Sequence, residues 1–123
     1  MNAKSESTAP ATAFADARLA AFQRGDVKTV IGHYRDDAVI ITPQGQVKGA
    51  AIAAMMTALF DEFAQPGTSF ELVSKSESGD VACFTWKAKT SKTIYDFCAE
   101  TYVLKDGKIA VQTFQGQMRP AGS

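Results

Sequence analysis

The chain of 123 residues is poor in the residues that build disulfide frameworks, metal centres and membrane spans. It has two cysteines and one histidine, and no apolar run approaches the roughly 20 residues of a transmembrane helix. No His/Cys/Asp cluster has metal-ligand spacing and no glycine-rich loop suits a phosphate, so we expect neither a metal nor another cofactor. The 13 basic and 13 acidic residues cancel, which argues against nucleic acid or a membrane as a partner.

The chain ends and the cysteines indicate one domain in a reducing compartment. Residues 1–9 are small and polar, so we expect a disordered tail there, then a single domain at 10–118 and a short tail at 119–123. The N-terminus lacks the apolar segment of a secretory signal. Cys83 and Cys98 have opposite parity on strands whose inward residues are even-numbered, which predicts two free thiols and a cytoplasmic protein.

The stretch from Gly79 to Met118 predicts three consecutive antiparallel strands, VACFTWKAKT, TIYDFCAETYVL and KIAVQTFQGQM. A Ser91–Lys92 corner separates the first two strands. Asp106–Gly107 forms the second turn, because glycine tolerates the positive φ of a tight hairpin. Two further strands are predicted at AVIIT, which is rich in β-branched residues, and at SFELVSKS.

Three segments that precede this meander predict helices. The first runs from near Pro10 to Gly25, the second covers VKTVIGHYR, and the third, AAIAAMMTALFDEFA, stops at Pro66–Gly67. Helices followed by a meander of long strands indicate an α+β fold, with three N-terminal helices on one face of a curved, mostly antiparallel sheet. Such a cone-shaped roll encloses the kind of pocket in which small-molecule sites are found.

Several phrases of the sequence follow the order typical of one superfamily. They are AAFQRGDVKTVIGHYRDDAVIITPQG, KGAAIAAMM and the closing strand pair joined by KDGKI. With them the chain, from about Phe14 to Met118, resembles the nuclear transport factor 2-like superfamily, in its SnoaL-like and ketosteroid-isomerase-like branch. The resemblance implies a cystatin-like roll and a homodimer formed through the sheet. It implies no single reaction, because this fold hosts isomerases, cyclases, dehydratases, epoxide hydrolases and binding domains.

The steroid isomerases of this superfamily place three functional groups in the cone. A tyrosine on the first helix and an acidic residue before Asp-Gly-Lys form an oxyanion hole, and an aspartate that ends the first strand is the base. The corresponding positions here are Arg18, Glu100 and Thr42. Threonine does not abstract a proton at neutral pH without an activating partner, so whether this chain is an enzyme stays open at this point.

Glu100 is the most informative candidate. Strand alternation turns one set of residues inward, namely Asp96, Cys98, Glu100, Tyr102 and Leu104, and the other set outward, namely Tyr95, Phe97, Thr101 and Val103. A carboxyl group among aromatic rings would have a raised pKa unless a cation sits beside it. Glu100 either serves as an acid or holds a ligand, or it pairs with Arg18 or lies in solvent. We favour an internal Arg18–Glu100 pair, the alternative being an Arg18 that reaches solvent.

The other candidates carry weaker signals. Asp96 is a second catalytic candidate near the pocket mouth, although a solvated carboxylate at a hairpin end is the simpler interpretation. The ligand-binding candidates are Arg18, Thr42, Phe60, Phe84, Trp86, Tyr102 and Phe114, of which most aromatic members also suit a plain core. His33 is expected to face solvent and to take no catalytic part.

Three functions remain open. The chain is a SnoaL-like protein that binds a small, largely apolar molecule with Glu100 and Arg18 as polar anchors, or a lyase or isomerase with Glu100 as acid or base. The third possibility is a non-catalytic dimeric interaction module. It would use an apolar outer sheet face that the alternation assigns to Tyr95, Phe97, Val103 and Val111.

Overall fold

The computed structural model describes residues 10–122, and the expected tail at residues 1–9 lies outside this range. It contains three helices, α1 (Pro10–Arg24), α2 (Val27–Gly32) and α3 (Ala50–Phe63). Gly25 has a φ of +68° and so allows the sharp turn between α1 and α2. Asp26 caps α2, because its carboxylate accepts a hydrogen bond from the Thr29 backbone N–H at 3.1 Å.

Six strands form one curved, unclosed sheet. They are β1 (Tyr34–Thr42), β2 (Gly45–Lys48), β3 (Ser69–Ser78), β4 (Val81–Lys89), β5 (Thr93–Lys105) and β6 (Lys108–Pro120). Their order is β2-β1-β6-β5-β4-β3, in which β1 and β6 are parallel and the other neighbours antiparallel. The predicted α+β fold with three helices is confirmed, and β6 continues past the expected limit at Met118.

The end of α2 differs from the prediction. The sequence pattern extended this helix through VKTVIGHYR, but α2 ends at Gly32 and β1 already begins at Tyr34. The reason is the parallel pairing with β6, since Tyr34 lies beside Ile109 and the Ile109 N–H donates to the His33 carbonyl at 2.8 Å. Pairing across the sheet thus overrides local helix propensity. The segment after Thr42 contains the short strand β2, which is not among the strands predicted from the sequence.

The predicted side-chain alternation fails at the start of β5. A bulge between Tyr95 and Phe97 interrupts the pairing of β5 with β6, and an extra residue shifts the alternation by one position. Tyr95 is therefore buried, not outward, and Asp96 does not face inward. Asp96 instead forms a surface ion pair with Arg119, with 39% of the Asp96 side chain exposed. Both placements predicted from the sequence were wrong.

The two faces of the sheet differ in character. One face carries Phe84, Trp86 and Tyr102 and packs against the helices, for example through Phe14 of α1, whose ring centroid lies 5.1 Å from that of Tyr102. The outer face exposes Ile41, Val81, Phe97 and Val103. The two cysteines are free, Cys83 exposed and Cys98 buried, as the alternation predicted. No helix in residues 10–122 is long and apolar enough to span a membrane.

Candidate functional site

Two adjoining cavities lie between the helices and the inner face of the sheet. We call them the large chamber, of about 330 Å³, and the small chamber, of about 70 Å³. The residues that line both are Met56, Leu59, Trp86, Glu100 and Gln112. Of the ligand-binding candidates, Arg18, Phe60, Phe84 and Tyr102 border the small chamber, and Thr42 and Phe114 border the large one. The cavities thus bring together every candidate from the sequence except Asp96.

The Glu100 carboxyl group is held on β5 where it borders both chambers. The Trp86 Nε1–H donates to Oε2 at 3.3 Å, and the Tyr102 hydroxyl donates to Oε1. Within the described residues, no lysine or arginine forms an ion pair with it. Burial raises the pKa of Glu100, although the Tyr102 hydrogen bond and the charge of Arg18 oppose this effect. Glu100 therefore keeps its proton more readily than an ordinary glutamate.

Arg18 does not form the direct ion pair with Glu100 that we favoured. Its side chain is buried, with 7% exposure, and donates to the Val30 carbonyl at 3.1 Å and to the Tyr34 hydroxyl at 2.7 Å. The guanidinium carbon lies 5.2 Å from the Tyr102 ring centroid. Tyr102 lies between the two residues, because its ring contacts Arg18 and its hydroxyl donates to Glu100. No salt bridge joins Arg18 to Glu100 among residues 10–122.

A buried pair of polar side chains extends this network towards the sheet. The Tyr34 hydroxyl receives a hydrogen bond from Arg18 and donates one to Gln112 Oε1 at 2.5 Å. Neither residue was a candidate, because Tyr34 was assigned to a helix and a single glutamine on a strand carries no chemical signal. The even parity that Gln112 shares with Phe114 could have placed it on the inner face.

His33 is not the solvent-facing residue that we expected. Its Nδ1 lies 3.3 Å from Arg18 Nη1, and its ring packs edge-on against Phe14 with 5.5 Å between centroids. Partial burial, followed by the positive charge of Arg18, lowers the pKa of His33 to about 4. The ring is therefore neutral at pH 7, and Nδ1 serves as the acceptor for the guanidinium.

Two predicted candidates are engaged in other contacts. Asp96 accepts two hydrogen bonds from Arg119, at 2.8 and 3.0 Å, and borders neither chamber. Thr42 borders the large chamber, but its hydroxyl donates to the Gly45 carbonyl at 3.0 Å and accepts from the Gln44 N–H at 3.1 Å. The hydroxyl thus serves the turn between β1 and β2, and its hydrogen bonds within residues 10–122 are to backbone groups only.

A second carboxyl group, that of Glu62 on α3, also borders the large chamber. The Thr90 and Tyr95 hydroxyls donate to its Oε2 at 2.6 and 3.0 Å. Burial opposes ionisation, but hydrogen bonds from the Thr90, Tyr95 and Thr93 side chains and the charge of Lys92 together lower the pKa of Glu62. The sequence does not indicate that Glu62 lines a cavity, because its helix is predicted from the apolar residues alone. No group of three or more potential metal ligands occurs within residues 10–122.

Comparison with known proteins places this architecture in a family. The family model of the SnoaL-like domain matches residues 15–112. No curated protein sequence matches the chain. Proteins from three bacteria are among the similar solved structures. An NTF2-like protein of unknown function from Mesorhizobium loti has a TM-score of 0.72 at 19% identity, over 88% of this chain and 91% of that one.

The second similar structure, a protein of Kribbella flavida DSM 17836, has a TM-score of 0.75 at 20% identity, covering 89% of this chain and 88% of its own. The third, an LEH-like epoxide hydrolase of M. tuberculosis, has a TM-score of 0.65 at 17% identity, covering 90% and 85%. Identities this low establish the fold and no reaction. The match to the family model covers most of the sequence, and the chain belongs to the SnoaL-like domain family.

Proposed function

We propose that the chain binds a small, largely apolar molecule in the two chambers, with Glu100 contacting a polar atom of that molecule. The observation that carries this proposal is a partly buried carboxyl group that borders both chambers and has no ion-pair partner within residues 10–122. A buried charge is costly unless it is paired, so a purely structural carboxylate would be expected beside a cation. Burial raises the pKa of Glu100, which favours the protonated form that can donate to a ligand oxygen.

The walls support an apolar body for this ligand. Trp86 and Phe114 border the large chamber together with Met55 and Met56, whose flexible thioether side chains adapt to different shapes. A volume of about 330 Å³ lies at the lower end of the range of roughly 300–1,000 Å³ that is usual for small-molecule sites. The best candidates are therefore ring systems with a carbonyl, hydroxyl or carboxyl oxygen at one end.

A lyase or isomerase reaction is the second candidate, and the raised pKa of Glu100 is the observation that favours it. An acid works best when its pKa lies near the operating pH, and burial moves Glu100 in that direction. In this case Glu100 would protonate a substrate oxygen. Thr42 lacks the base function of steroid isomerases, so their reaction is not part of the proposal.

A thermal-shift screen of small apolar carboxylic acids, phenols and cyclic ketones tests the binding proposal. The native protein is compared with Glu100→Gln, and Asp96→Asn is the matched control because Asp96 lies outside both chambers. We expect at least one class to raise the melting temperature of the native protein and of the control, but not that of Glu100→Gln. Equal shifts in all three proteins, or no shift with any class, would contradict the proposal.

We also propose a homodimer formed through the outer sheet face, as the interaction-module hypothesis requires. Val103 lies between Val81 and Val111 in the register, and Phe97 is 44% exposed on the same strand. Apolar side chains in such a row usually mark an interface. Light scattering should show a dimer that Val103→Lys converts to a monomer, whereas Thr57→Lys on the exposed side of α3 leaves it intact. A monomeric native protein would contradict the dimer.

A further inference from the structure

The large chamber has two separate groups of polar side chains. Apart from Thr42, whose hydroxyl serves a turn, Glu100 and Gln112 form one group, and Glu62, Tyr95 and Lys92 form the other. Tyr95 and Glu100 are both on β5, five positions apart, so their backbone sites are separated by at most roughly 16 Å at about 3.3 Å per residue. Apolar side chains line the chamber as well, among them Leu59 and Phe114. The chamber therefore suits an elongated molecule with a polar group at each end.

The Glu62 carboxylate is fixed for such a contact. The Thr90 hydroxyl, which is 1% exposed, donates to Oε2 and itself accepts the Lys92 and Thr93 backbone N–H groups at 3.1 and 3.0 Å. The turn between β4 and β5 thus holds the carboxylate through Thr90, and the Tyr95 hydroxyl holds it from the strand. Both hydroxyls donate to the same oxygen, Oε2. A carboxylate oxygen has more than one lone pair, so Glu62 retains capacity to accept a further hydrogen bond.

We propose that Glu62 is a specificity-determining residue that accepts a hydrogen bond from a neutral hydroxyl group at one end of the ligand, while Glu100 contacts an oxygen at the other end. A hydroxyl fits better than an amine, because the positively charged Lys92 borders the same chamber and disfavours a second cation. This inference rests on the proposed function, since it assigns the substrate class of the same cavity. It adds Glu62 to the site and predicts a preference for a ligand hydroxyl, which the position of Glu100 alone does not imply.

Two ketones of matched shape test the inference. They are 4-phenylcyclohexanone, with one oxygen, and 4-(4-hydroxyphenyl)cyclohexanone, which adds a hydroxyl at the far end. Dissociation constants are measured by titration calorimetry for the native protein and for Glu62→Gln. The amide oxygen of glutamine still accepts the Thr90 and Tyr95 hydroxyls, so the fold is retained. Asp61→Asn is the control, because this neighbour on α3 is exposed and borders neither chamber.

We expect the native protein and Asp61→Asn to bind the hydroxylated ketone about tenfold more tightly, since hydrogen bonds to charged groups are the stronger ones. In Glu62→Gln the ratio of the two dissociation constants should fall below about threefold. Tyr95→Phe is a second variant with the opposite expectation, because removing one competing donor should preserve or increase the preference.

The outcomes separate this inference from the proposed function. A native protein without preference for the hydroxylated ketone, or a preference that persists in Glu62→Gln, would overturn the role of Glu62 but not the proposed function. Tight binding of both ketones that is lost in Glu100→Gln would at the same time support the proposed function. If neither ketone binds the native protein, the proposed function and the inference both fail for this ligand class.

Discussion

Gly116 allows a direct test of how tightly the strands beside the large chamber are packed. It lies opposite Cys98 in the pairing of β5 with β6. A Cβ atom added at Gly116 would lie 2.7 Å from Cys98 Sγ and 3.2 Å from Phe114 Cζ. Cys98 is completely buried, so its sulfur cannot move into solvent. Gly116 is not in the left-handed region, and a substitution there meets a clash without backbone strain.

The expected cost of Gly116→Ala follows from this clash. Overpacking a tight site costs about 1–3 kcal/mol. Replacing glycine by alanine also restricts the unfolded chain, which returns about 0.4–1 kcal/mol. The net loss in the free energy of unfolding should therefore be about 1–2 kcal/mol. Gly32→Ala is the matched control, since an added Cβ there meets nothing within 4 Å.

Urea unfolding at 25 °C gives the free energy of unfolding of both variants, of Cys98→Ala and of the double mutant Gly116→Ala/Cys98→Ala. Cys98→Ala alone should cost on the order of 1 kcal/mol for the lost sulfur. In the double mutant the sulfur is absent, and much of the penalty of Gly116→Ala should disappear, which gives a coupling energy of about 1 kcal/mol. Additive losses, or a Gly116→Ala variant as stable as Gly32→Ala, would refute the packing described here.

Two predictions concern pH. The pKa of His33 is lowered to about 4 from an ordinary 6.5, so the unfolded chain binds more protons between these values. The free energy of unfolding of the native protein, measured in urea, should therefore decrease as the pH falls from about 6.5 towards 4. The decrease should be smaller for His33→Gln, and equal decreases would contradict the Arg18–His33 contact. Glu100 has a raised pKa, so the folded chain binds more protons, and its stabilising contribution is present at low pH and lost as the pH rises through the folded pKa. Relative to Glu100→Gln, the native protein should become less stable above pH 4.5, and a constant difference between the two would contradict the burial of this carboxyl group.

Much of the fold was predictable from local signals. The turn at Asp106–Gly107 was predicted from glycine chemistry, and both residues have a positive φ, 54° and 78°. Alternation also placed Trp86, Glu100 and Tyr102 on the same face of the sheet. These predictions were correct because the later part of β5 pairs without a register shift from Phe97 to Val103.

The errors arose where distant contacts decide the structure. The bulge between Tyr95 and Phe97 carries no composition signal, and it turned Asp96 from the expected pocket to the surface. Arg18 was assigned a carboxylate partner, but a backbone carbonyl, a tyrosine hydroxyl and two aromatic rings surround its guanidinium. Glu62 was overlooked, because its hydroxyl partners come from β5 and the turn before it.

The protonation of Glu100 is the most direct test of the proposed site. Carbon-detected NMR of protein with ¹³C-labelled glutamate, assigned with Glu100→Gln, follows its carboxyl resonance through a pH titration with and without 4-phenylcyclohexanone. We expect Glu100 to titrate above its ordinary value of 4.5 and its resonance to shift when the ketone is added. A Glu100 that titrates at its ordinary value of 4.5 and does not respond to the ketone would contradict a partly buried, ligand-contacting carboxyl group.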